Sequence, residues 1–73
     1  MDVSAILKPN ELPFPVTNDV CDRINDLIDA YKREDRDFID CYLDELEGSA
    51  RDLPEDQDRW IRAYYVDGGW ANA

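Results

Sequence analysis

The side chains of this sequence best suited by type to do chemistry are carboxylates, and they fall into two rows. Asp19, Asp22, Asp26 and Asp29 follow a 3-4-3 spacing, and Asp37, Asp40, Asp44 and Glu47 repeat it. Helical positions three and four apart stand one above another, so each set makes a stripe of negative charge. Paired carboxylates can run acid–base catalysis, but one of them must then sit in a pocket that raises its pKa. Both rows fall opposite the apolar side of their helices, where no such pocket is expected. The chain has no histidine, so no imidazole can activate Cys21, Cys41 or a serine. Two cysteines are too few for a structural zinc site. The run from Asp35 through Asp37 to Asp40 lacks the glycine and closing glutamate of a calcium loop. No enzymatic activity, metal site or cofactor is expected.

What remains is charge. Eighteen acids against eight bases in 73 residues give a net charge of −10. Such a chain is expected to bind neither nucleic acid nor an anionic membrane, and its natural partner is a basic protein surface. Thirteen of the acids are Asp, although Asp is a poorer helix former than Glu. A genomic or salt-adaptive bias would also produce that excess. It would not explain why so few bases are interleaved in the rows. Like charges at these spacings cost about 0.2–0.5 kcal/mol each, roughly 1–3 kcal/mol over both rows. That is a large share of the ~5 kcal/mol available to a small domain.

Four acids over about ten residues occupy roughly 15 Å of helix. If the rows stood side by side they would present one charge per about 2 Å, close to the roughly 1.7 Å of duplex DNA. The function expected first is therefore non-enzymatic: mimicry of nucleic-acid charge that blocks a basic nucleic-acid-binding protein or nuclease. In composition and size the chain resembles the small acidic inhibitors that phages and mobile elements carry against host nucleases, such as anti-CRISPR proteins. The competing expectation is a helical adaptor or homodimer assembling through an aromatic C-terminal face of Trp60, Tyr64 and Trp70, with Trp70 the most exposed; in the more frequent role of such residues they are core, with Trp70 folding back beyond Gly68-Gly69 as a lid.

The elements that must carry these residues are helical. Residues 1–16 read as an extended strap, because Leu12, Phe14 and Val16 alternate with Pro13 and Pro15 and proline fixes φ and removes a donor. Ile6, Leu7, Leu12 and Phe14 would lie across the helices. Residues 17–73 form the helical domain. A first helix over about 18–33, capped by Thr17 or Asn18, would bury Val20, Ile24, Leu27, Ile28 and Tyr31. A second over about 36–52, capped by Asp35, has core positions Phe38, Ile39, Tyr42, Leu43, Leu46, Ala50 and Leu53. Gly48 disturbs its composition but not its period. A third over about 55–66 starts after Pro54 and stops at Gly68-Gly69. The expected fold class is all-α, a small three-helix bundle with an extended Pro-containing N-terminal strap. No signal-peptide pattern or membrane-length apolar run is present, so a reducing cytoplasm with both thiols free is expected.

Overall fold

A computed structural model describes residues 6–72, apart from the side chain of Asn72. The first five residues of the expected strap lie outside the described residues. Three α-helices follow in order, α1 (Asn18–Lys32), α2 (Arg36–Ala50) and α3 (Glu55–Ile61), with no strand among the described residues. The all-α three-helix reading holds.

Each boundary has a local cause. The Thr17 hydroxyl accepts from the Val20 amide at 3.3 Å and opens α1. Val16 and Cys21, both half-buried, flank that entry at staple spacing. Asp35 opens α2 by accepting from the Phe38 amide at 3.4 Å. Gly48 remains inside α2, and the helix ends two residues earlier than expected, at Ala50. Beyond Ile61 the chain widens into a π-turn, Arg62–Val66, closed by the Asp67 amide on the Arg62 carbonyl at 2.7 Å. Gly68, with φ of +80°, then reverses the chain into a short 3-10 turn, Gly69–Asn72. A Cβ on Gly69 would collide with the Ala63 carbonyl, so only glycine lets this turn lie on the helix.

The corner between α1 and α2 is an αL-terminated helix end without the usual glycine. The Asp35 amide donates to the Ala30 carbonyl and the Glu34 amide to the Tyr31 carbonyl, each at 3.1 Å. This is the Schellman pattern, and it places Glu34 at φ of +55°. A side chain there costs roughly 1–2 kcal/mol, partly offset because glycine is more disordered when unfolded. Glu34→Gly should therefore raise stability by about 0.5–1 kcal/mol, read as a higher thermal midpoint; an unchanged or lower midpoint would show that this corner is not strained.

The core is built from Val20, Ile24, Leu27, Ile28, Ala30 and Tyr31 of α1 with Ile39, Leu46 and Ala50 of α2. Ile61, Tyr65 and Trp70 close it from the C-terminal side, and Ile6 from the strap. The strap is held by two aromatic hydroxyls as well as by apolar contact. Leu7 donates its amide to the Tyr64 hydroxyl at 3.2 Å, and the Tyr65 hydroxyl donates to the Leu7 carbonyl. Phe14 meets the Trp60 ring edge-on at 5.6 Å between centroids. Pro9–Glu11 form one 3-10 turn within the strap, with the Glu11 carboxylate accepting from the Lys8 amide at 3.1 Å.

Two expected positions are corrected. Trp70 is not the exposed member of an aromatic face: it is 8% exposed and packs on Tyr31 at 4.2 Å between centroids. Phe38 is not a core residue: at 47% exposure it is the one large apolar side chain left open among the described residues. Ile39, Leu46 and Ala50 share one buried face of α2, and Phe38 lies about 100° around the helix from the centre of that face.

Candidate functional site

The two acid rows lie where the helices put them, but they do not merge. Glu45 and Glu47 are two residues apart and therefore about 200° apart around α2. Glu45 faces α1 and pairs with Arg23 at 3.0 Å. Glu47 faces the opposite flank and pairs with Arg62 at 2.9 Å. Asp40 and Asp44 precede Glu47 at helical spacing, so the α2 row runs along the flank nearer α3. The α1 row instead borders the seam between the first two helices, where the Asp19 carboxylate accepts from the Ser49 hydroxyl at 3.1 Å. The condition for one continuous face carrying eight charges, rows standing side by side, is thus not met. The rows bracket the outer surface of the α1–α2 hairpin, with the Arg23–Glu45 pair between them.

Which acids receive a base is selective. Arg23 goes to Glu45, Arg51 and Arg62 to Glu47, Arg59 to Glu55, and Arg62 also to Asp58. Among the described residues no base comes within ion-pair distance of Asp22, Asp26 or Asp29 on α1, nor of Asp37, Asp40 or Asp44 on α2. Six of the eight row residues therefore stand as carboxylates without a base or a hydroxyl partner. Asp19 has Ser49, and Glu47 is the one row member drawn into ion pairs. Asp22, Asp29, Asp37, Asp40 and Asp44 are exposed, and Asp26 is partly covered.

The aromatic residues pack on the core and on the strap. Trp60 and Tyr64 are half-buried and stacked at 5.0 Å, with Phe14 of the strap against Trp60. Tyr64 and Tyr65 anchor Leu7, and Trp70 seals Tyr31. This cluster ties both ends of the chain to the helices.

Burial pushes the Tyr31 hydroxyl up to about 12 and raises Tyr65 as well. Both phenols thus keep their protons in the folded chain when an unfolded tyrosine, near 10, would lose its own. Folding stability is full below that unfolded value and falls as pH climbs from about 10 towards 12. The denaturant midpoint, followed in steps of pH, should drop across this window, with tyrosinate absorbance rising in step with unfolding. Tyrosines ionising fully in the folded chain at pH near 10 would contradict that.

Among the described residues no group of three or more potential ligands is placed to hold a metal, and no helix is long and apolar enough to cross a membrane. Cys41 is exposed and Cys21 half-buried, and both are free. No known protein family, curated protein or solved structure matches this chain.

Proposed function

We propose that the protein acts without catalysis, as an acidic binder that occupies the basic groove of a nucleic-acid-binding protein or nuclease and so inhibits it. An anti-defence inhibitor of the phage or mobile-element type, directed at a nuclease, is the form this reading takes. The observation that carries it is the segregation of bases from the Asp rows. Arginines neutralise Glu45, Glu47, Glu55 and Asp58 while six row aspartates stay unpaired. Exposed ion pairs add little stability each, so their placement matters less for folding than for where the negative field survives.

Rows that bracket the helical hairpin suit a groove that embraces it better than a flat surface. Binding of this kind is fast and weakens steeply with salt. The test is displacement of a labelled oligonucleotide from a purified basic nuclease of the cells that make the protein, repeated as salt is raised. Displacement that fades with salt supports the reading; displacement indifferent to salt, or none from any basic nucleic-acid-binding protein of those cells, overturns it. Less supports the adaptor reading, since Trp70 is buried and the half-buried Trp60 and Tyr64 hold the strap.

A further inference from the structure

Phe38 is exposed in the first turn of α2, near the corner that joins it to α1. In the antiparallel α1–α2 pair, Asp19 meets Ser49 and Arg23 meets Glu45. Continuing that pairing brings Asp26 level with Tyr42 and Ala30 level with Phe38. Ala30 is fully buried and small, which lets the α2 side chains lie over it. Phe38 and Tyr42 stack at 5.8 Å and 20° between planes, and the Arg33 guanidinium lies 5.6 Å from the Phe38 ring centre. The ring is fixed between two neighbours while staying about half exposed, so little ordering would be lost if it were inserted elsewhere.

Charge spacing points the same way. Taken alone, each row holds one acid per about 4 Å, near the roughly 3.4 Å of one nucleic-acid strand and well short of a duplex. Proteins that bind single strands combine a basic track for the backbone with aromatic platforms on which bases stack. We propose that Phe38, backed by Tyr42 and one turn along α2 from the level of Asp26 in the α1 row, is an aromatic anchor that enters the base-stacking recess of a single-strand groove in the partner protein. This rests on the reading of the protein as a nucleic-acid mimic and names the kind of groove it fits. The row supplies the backbone charges and the Phe38–Tyr42 stack supplies the base.

Two probes separate the parts: an oligo-arginine peptide with a central alanine, and the same peptide with a central tryptophan. Both should bind the wild-type chain with affinities that fall with salt. The tryptophan peptide should bind about tenfold more tightly, and Phe38→Ala should abolish that advantage while leaving circular dichroism and the salt dependence unchanged. Equal binding of the two peptides, or an advantage that survives Phe38→Ala, overturns the anchor and leaves the acidic reading standing. Failure of both peptides to bind overturns both. A wild-type mass that doubles in solution and returns to monomer in Phe38→Ala also overturns the anchor, because the ring would then be covered by a second copy.

Discussion

Trp70→Ala should strip the chain of most of its stability at room temperature. Replacing a buried Trp with Ala typically costs about 3–5 kcal/mol, against roughly 5 kcal/mol for a domain of this size. The ring covers Tyr31 from outside the helices, so its loss opens the core directly to solvent. The turn that carries it has little else to hold it. Its fixed points are the close approach of Gly69 to Ala63 in the π-turn and the Ala71 amide on the Gly68 carbonyl at 3.0 Å. Trp70→Phe is expected to be far milder. It keeps much of the apolar contact and removes an indole N–H that has no hydrogen-bond partner among the described residues. Urea unfolding of both variants checks this. A folded Trp70→Ala chain of wild-type stability would mean that the residue serves an interface and not the core.

The second large effect concerns binding. Reversing one residue in each row, Asp26→Lys with Asp40→Lys, takes the net charge from −10 to −6, since each change adds two. At low salt the double variant should bind its basic partner about 100-fold more weakly, because two close attractions become repulsions. The fold should respond the other way. Asp26 has Asp22 and Asp29 at helical spacing, and Asp40 has Asp37 and Asp44. Turning those like-charge contacts into opposite-charge ones should add about 1 kcal/mol or more to stability. A gain in stability with a loss of binding is the signature of acids kept for function. A variant that binds as well as the wild type would assign the Asp excess to composition alone.

Much of the fold was legible because periodicity and caps carry it. Thr17 and Asp35 announced the starts of α1 and α2, the buried α1 residues recur at helical intervals, and Gly48 kept its phase. The chain past Ile61 was harder, since a π-turn and a 3-10 turn leave no repeating pattern; only the glycines there hinted at Trp70 folding back. Phe38 is apolar by type but stands at the edge of the α2 face centred on Ile39, Leu46 and Ala50, and nothing in the sequence shows that no neighbour covers that edge. How the two acid rows stand relative to each other was not legible in the sequence. A wheel gives a residue's direction about its own axis and says nothing of which neighbour lies on that side. The opposite fates of Glu45 and Glu47, one on Arg23 and one on Arg62, needed three helices to be placed together.

The most direct test of the acidic-binder account is capture of partners from the cells that make the protein, comparing the wild-type chain with the Asp26→Lys, Asp40→Lys variant at low salt. The account predicts a basic nucleic-acid-binding protein retained by the wild type, absent from the variant, and released from the wild type when salt is raised. Retention of the same proteins by both chains would contradict it.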